Sequence, residues 1–327
     1  MAQSQTSAAA PARDAGRLLV GLMFIGFISL GLPDGLLGVA WPSLAASRGV
    51  RLDALGTLLA ASAAGFIGAS VFSGRLIARL GVGGLLAAAS LTTAVSLLGF
   101  ALAPAWWMLL PAAALLGAGG GCIDGGLNNY AAATTSPRVL TWLHGFYGVG
   151  ATAGPLLMTA LLAGGRPWQA GYLIVGAGQL ALALCFALTR GRWVAHAPAE
   201  AHAVRSDVGL RATLALPVVW LSAALFLLYT GLEVSVGQWA YTLFTAGRGA
   251  DPALAGRWVS LYWGGLTAGR FVAGAVAGRL TPRALLWIGS LGAVLGAAMI
   301  GLLAAPWASA AGMVLMGFAL APIFPAL

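Results

Sequence analysis

Apolar stretches follow one another along almost the whole chain, divided by short polar gaps. A helix needs about 20 apolar residues to cross a bilayer. Stretches of that kind fall at 18–42, 54–77, 82–103, 106–132, 140–163, 168–190, 215–245, 253–277, 283–304 and 308–327. The pattern predicts ten membrane helices and an all-α integral membrane protein. The widest polar gap, 191–214 with Arg190 at its edge, carries Arg192, His196, Glu200, His202, Arg205, Asp207 and Arg211. It divides a six-helix bundle over 17–190 from a second bundle over 215–327, and reads as a cytoplasmic linker. Residues 1–16, rich in Ala, Ser and Gln, read as a disordered tail.

One polar pattern occurs twice between apolar stretches. Gly74-Arg75-Leu76-Ile77-Ala78-Arg79 returns as Gly278-Arg279-Leu280-Thr281-Pro282-Arg283, 204 positions later. The same offset places Gly65 on Gly269 and Asp34 opposite Gln238. Two halves running in one direction imply a duplicated bundle about an axis along the membrane normal. Measured by that repeat, the second half ends near the place that matches Cys122-Ile123-Asp124 in the first. The expectation is therefore ten spans of twelve, with a C-terminally incomplete second bundle.

Composition supports the membrane reading. The chain is 60% hydrophobic and 8% charged, where soluble domains carry about 25% charged residues, and its mean hydropathy is +0.92. The formal charge of +9 comes from 17 basic residues against 8 acidic ones, and every basic residue is Arg. Their place in the gaps excludes a nucleic-acid surface, because no basic face with interleaved aromatics forms. With the N-terminus inside, the inner segments hold Arg13, Arg17, Arg75, Arg79, Arg138, Arg190, Arg192, Arg205, Arg211, Arg279 and Arg283. The outer segments hold Arg48, Arg51, Arg166, Arg248 and Arg257. The asymmetry predicts a cytoplasmic N-terminus in an inner (plasma) membrane of bacterial type. Cys122 and Cys185 lie in apolar runs and cannot make a four-ligand zinc site. No Walker loop, nucleophile elbow or HExxH segment occurs. An enzyme, a cofactor and a metal are therefore not expected.

The repeat and its motifs resemble the major facilitator superfamily of secondary transporters. Gly74, Arg79 and Gly81 match the loop motif between spans two and three, with Ala78 where an acid is usual. Gly150-Ala151-Thr152-Ala153-Gly154-Pro155 resembles the Gly-x-x-x-Gly-Pro motif of the fifth span. Pro33-Asp34 and Cys122-Ile123-Asp124-Gly125-Gly126-Leu127-Asn128 are similar to segments of the fucose-permease-like group. That resemblance implies proton coupling and sugar binding at the two acids.

Four ionisable residues lie within spans: Asp34, Asp124, Glu233 and Arg270. A charge at the bilayer centre costs about 2.5–3.5 kcal/mol on insertion scales, so each faces a cavity or a partner. Three acids and one base cannot all pair, which makes Asp34, Asp124 and Glu233 the proton-coupling candidates. Asp34 follows Pro33 between Gly31 and Gly35, a pattern that predicts a kinked helix. Asp124 and Asn128 share one helix face beside a Gly117/Gly121/Gly125 seam, where the alternative is an interhelical hydrogen bond. Glu233 and Arg270 lie on adjacent spans, and an ion pair between them is compatible with a solute site. Asn128, Asn129, His144, Gln238 and Trp239 are the candidate solute contacts, and His144 is alternatively an interfacial histidine. Arg75, Arg79, Arg279 and Arg283 are candidate gates, and Arg270 is the candidate structural cation. Trp106, Trp107, Trp168, Trp193 and Trp307 read as interface anchors, and Trp41, Trp142, Trp239 and Trp263 as cavity-lining residues.

These readings converge on a monomeric secondary transporter that alternates access to the two sides of the bilayer. Proton-coupled uptake of a sugar or other small polar solute is the leading expectation. A drug or metabolite exporter is the first competitor, and a non-transporting remnant or sensor is the second.

Overall fold

The computed structural model describes residues 11–194, 210–276, 279–303 and 305–323, which are almost wholly helical. The first half comprises α1 (Pro11–Arg48), α2 (Leu55–Leu102), α3 (Leu109–Thr134), α4 (Pro137–Ala163) and α5 (Gln169–Thr189). The short α6 (Leu210–Leu214) leads into α7 (Pro217–Thr242), α8 (Pro252–Val276), α9 (Pro282–Leu302) and α10 (Pro306–Leu320). Most of the expected linker (195–209), Gly278 of the second hairpin and residues 324–327 lie outside the described residues. The expected apolar stretches map onto these helices, two of them onto α2, and the last, 308–327, extends past α10 into residues outside those described.

The 48 residues of α2 would reach about 72 Å as one rod, far more than a bilayer's hydrocarbon core. Gly81 divides it, with φ 69° and ψ 167°. A Cβ at positive φ meets the backbone, so glycine takes this turn without strain. The loop motif therefore marks the joint between the two arms. Its partner in the repeat is built by different chemistry. The Thr281 hydroxyl accepts from the Ala284 amide at 3.2 Å, and Pro282 occupies the first helical position of α9.

Of the residues read as a tail, 1–10 lie outside the described residues, and 11–16 belong to the described part of α1. The proline expected to kink the first span does not end it, since α1 runs on through Pro33 and Pro42. Pro33 cannot donate to the carbonyl of Ser29. Gln179 of α5 does so instead, through Nε2 at 3.0 Å. A buried side chain thus repairs the bond that the proline removes, as membrane helices require. Replacing Gln179 with Leu orphans that carbonyl and costs about 1–3 kcal/mol. We expect a lowered thermal midpoint in detergent, largely restored by adding Pro33→Ala, whose amide returns to Ser29.

The repeat holds at the level of contacts. Gly65 of α2 backs onto the carbonyl of Ala114 of α3, and Gly269 of α8 onto that of Phe318 of α10. Both members of the second pair lie 204 positions beyond those of the first. Between the arms of α2, α3 presents Gly117 and Gly121 to Ser62, Phe66 and Ser70 of the first arm and Gly119 to Ala89 and Thr93 of the second. α10 is held in the same way between α8 and α9. Arg48-Gly49 closes α1, and Arg248-Gly249 closes the π-helical turn Leu243–Gly247 that follows α7, with glycine φ angles of 63° and 65°.

The two halves share one apolar core that is weighted to one end, while α4 and α8 stay in contact beyond it as far as Gly145 and Phe271. Trp41, Leu44, Leu55, Phe100 and Trp168 pack into one cluster with Tyr241, Phe244, Trp258, Val259 and Trp263. A second cluster, including Met23, Phe27, Leu86, Ile123, Leu127 and Phe186, draws on the first half alone. At that end α7 buries Tyr229 and leaves the rest of 217–232 exposed or half-exposed. Burial also corrects the reading of the tryptophans. Trp41 and Trp263 are fully buried core residues, and the Trp41 indole donates to the Leu52 carbonyl at 2.8 Å. Trp168 and Trp193, expected at the interface, are buried, because their indoles find Ser47 and Thr189 hydroxyls at 3.2 and 3.1 Å. Trp107 and Trp307 are exposed, as anchors are. Trp142 is exposed beneath Arg138.

Candidate functional site

Small residues set where the first acid lies. Gly31 and Gly35 of α1 interleave with Gly150, Ala151 and Gly154 of α4 so closely that backbone meets backbone. A Cβ at Gly35 would fall 2.5 Å from the Ala151 carbonyl oxygen, and one at Gly154 2.5 Å from that of Leu32. This contact joins the two motifs read separately from the sequence. It brings Tyr147 of α4 to Asp34, and the phenol donates to the carboxylate at 2.7 Å. Asp34 is exposed although Pro33 and Gly35 beside it are buried, so its carboxylate opens onto space between the helices.

The second half meets Asp34 where the repeat predicts. Gln238 Nε2 donates to the Asp34 backbone oxygen at 2.7 Å, across 204 positions. Two residues equivalent by the repeat touch one another, so the axis relating the halves passes between them. Gly38 allows this approach, since a Cβ there would lie 2.8 Å from the Gly237 carbonyl oxygen.

Arg270 carries the site into the second half. Its guanidinium lies over the Tyr147 ring, 5.8 Å from the centroid. It also reaches both carboxylate oxygens of Glu233, at 3.3 and 3.4 Å. The two side chains are 15% and 9% exposed, so this pair is largely shielded from water. Tyr229, one turn before Glu233, donates to the same carboxylate, and Tyr262 donates to the Glu233 backbone oxygen at 2.9 Å. The sequence Asp34, Tyr147, Arg270, Glu233, Tyr229 therefore runs through α1, α4, α8 and α7 and crosses between the halves. Two acids face one base, and an excess negative charge remains when both acids are ionised.

The other candidates lie apart from this row. Asn128 donates to Asp124 at 2.9 Å within α3, a bond along one helix rather than between two. Asn129 is exposed. His144 lies one turn before Tyr147, its ring edge-on to Phe27 at 5.4 Å. Gln238 and Trp239, adjacent in sequence, face different spaces. Gln238 lines a small cavity with Asp34, whereas Trp239 lines an apolar cavity of about 430 Å³ with Leu243, Ile300, Met313 and Met316. Arg75, Arg79, Arg279 and Arg283 are exposed, and Arg75 lies over Phe72 of its own helix. Among the described residues no His, Cys, Asp and Glu group of three or more has the geometry to hold a metal ion.

Tyr147, Tyr229 and Tyr262 were not singled out from the sequence. Spacing carries the signal for two of them. Tyr147 follows His144 by one turn, and Tyr229 precedes Glu233 by one turn, so each shares a face with a candidate. The contact of Tyr262 is a tertiary one without a local signature.

Comparison with known proteins agrees with this architecture. The sequence model of the Major Facilitator Superfamily matches residues 23–327. No curated protein sequence matches the chain significantly. Among solved structures, the fold is similar to that of a D-xylose-proton symporter, with TM-score 0.68 at 16% identity over 94% of this chain and 80% of that one. It is equally similar to a point mutant of the nucleoside transporter NupG, with TM-score 0.68 at 15% identity over 94% and 81%. At such identities the likeness is one of fold.

Proposed function

The chain belongs to the Major Facilitator Superfamily, and from that premise we propose proton-coupled uptake of a sugar or similar small polar solute by alternating access. The observation that carries this reading is the row of polar groups that runs from Asp34 to Tyr229 between the halves. Asp34 is held by a phenol, a neutral donor, while the nearby cation, Arg270, is engaged by Glu233. A proton on Asp34 removes the excess negative charge without disturbing the Arg270–Glu233 pair. Asp34 lies at the contact that Gln238 makes between the halves, so a change of charge there alters how the halves attract one another. The common core at one end and the separate core at the other fit a carrier closed on one side. With the N-terminus inside, the closed side is the outer one, and the membrane is an inner membrane of bacterial type. The working unit is a monomer.

The test is uptake into proteoliposomes under an imposed pH gradient, with a panel of labelled pentoses, hexoses and nucleosides. Accumulation of one class that depends on the gradient supports the proposal. Uptake indifferent to the gradient removes the coupling. The apolar, methionine-bearing cavity beside Trp239 favours a second reading, export of a lipophilic compound. Expulsion of a lipophilic dye, with no uptake of any polar solute, would select it.

A further inference from the structure

Asp34 has a neighbour on its other flank that the transport reading leaves unused. A cavity of about 30 Å³ lies there, and Ser62, Tyr172 and Gln238 supply polar groups to its wall. A water needs about 10–15 Å³ of such space, so the cavity has room for about two. The Tyr172 hydroxyl and the Gln238 side-chain oxygen have no hydrogen-bond partner among the described residues. Both side chains are buried, at 1% and 3% exposure. Buried polar atoms are satisfied by water where protein does not reach them.

Both groups are rigidly placed. The Tyr172 ring lies flat against Phe100, centroids 5.1 Å apart and planes 3° apart, and edge-on to Trp168 at 5.7 Å. Gln238 is fixed by the bond from its amide to the Asp34 backbone. The remaining wall includes Leu58, Leu59, Phe100 and Ala113, whose neighbours Leu55 and Trp168 belong to the core shared at the closed end. Asp34 therefore lies between open interhelical space and a small, partly enclosed pocket on the side of the closed end, into whose apolar wall Ser62, Tyr172 and Gln238 bring polar groups.

We propose that this pocket holds the water through which protons pass between Asp34 and the closed end, with Tyr172 as its positioning residue. The proposal rests on the reading that Asp34 carries the coupled proton. A hydronium reaching the pocket transfers a proton to the resident water, which passes one of its own to the Asp34 carboxylate. One O–H bond breaks and one forms at each transfer, leaving neutral water and a carboxylic acid. Tyr172 keeps its proton and orients the water by donating to it, and Gln238 accepts. The other groups facing Asp34 are Tyr147 from α4 and Glu233 from α7, with Arg270 of α8 over the Tyr147 ring.

The test needs no identified solute. The full chain in lipid nanodiscs is moved from H2O to D2O, and the carboxyl stretch lost in Asp34→Asn is followed by infrared spectroscopy. Tyr172→Phe keeps the ring stack and should slow exchange of that band about tenfold, equivalent to about 1.4 kcal/mol of barrier. Leu59→Phe, which fills the pocket, should slow it similarly and serves if the first variant folds poorly. Exchange at the wild-type rate in folded variants overturns the pocket. Absence of any carboxyl band assignable to Asp34 instead overturns the coupling reading on which it rests.

Discussion

Arg270→Met lowers the stability of the folded protein by about 3–5 kcal/mol, the cost of leaving a buried charge without its partner. Glu233 is the charge left behind. Its carboxylate is 9% exposed and keeps the Tyr229 phenol as a neutral donor. Hydrogen bonds from neutral donors recover only part of what a guanidinium supplies. The substitution also removes the cation over the Tyr147 ring, worth about 0.5–2 kcal/mol. Glu233→Gln in the same background removes the orphaned charge, so the double variant should regain most of the loss. Thermal unfolding in detergent, run as a double-mutant cycle, measures the coupling directly. Equal losses in the single and double variants would mean that Arg270 acts through packing alone. The expected pattern makes this pair the clamp that holds α7 to α8 beside the interface between the halves.

The membrane fold was readable because lipid imposes a simple rule. Each crossing needs about 20 apolar residues, and that length is visible without any knowledge of tertiary contacts. The repeat was equally plain, and it aligned Asp34 with Gln238, which touch one another across the halves. The ion pair of Glu233 and Arg270 followed from charge counting on adjacent spans. What stayed hidden was relief supplied from a distance. Pro33 signals a missing donor, but Gln179, 146 positions later, supplies it. Trp168 has the composition of an interface anchor, yet a serine 121 positions away satisfies its indole inside the bundle. Asp124 and Asn128 share a face as predicted, but they answer one another within α3. Tyr147 gave a weak local signal, and its importance comes from the glycine contact that brings α4 onto α1. Residues that act through neighbours remote in sequence leave no periodic trace.

Asp34→Asn should abolish accumulation driven by a pH gradient while sparing exchange of solute across the membrane. The amide has the shape of the carboxyl group, and its oxygen still accepts the Tyr147 phenol. The Gln238 bond goes to the backbone and is untouched by the change. Both contacts that hold α1 to α4 and α7 survive, so the thermal midpoint should remain near that of the wild type. The amide cannot take up a proton at physiological pH. With one proton moved per solute, a gradient of one pH unit supports about tenfold accumulation, or about 1.4 kcal/mol. The variant should instead stop at equal concentrations on the two sides. Exchange requires the loaded carrier to reorient without net proton movement, and a permanently neutral side chain mimics the protonated state. Gradient-driven uptake and counterflow, measured on the same proteoliposomes with the solute found by the uptake panel, separate the two steps. Accumulation undiminished in Asp34→Asn would move the coupled proton to another acid. Glu233 is committed to Arg270, whereas the Asp124 carboxylate accepts from the Asn128 amide, so Asp124 would then be the next residue to test.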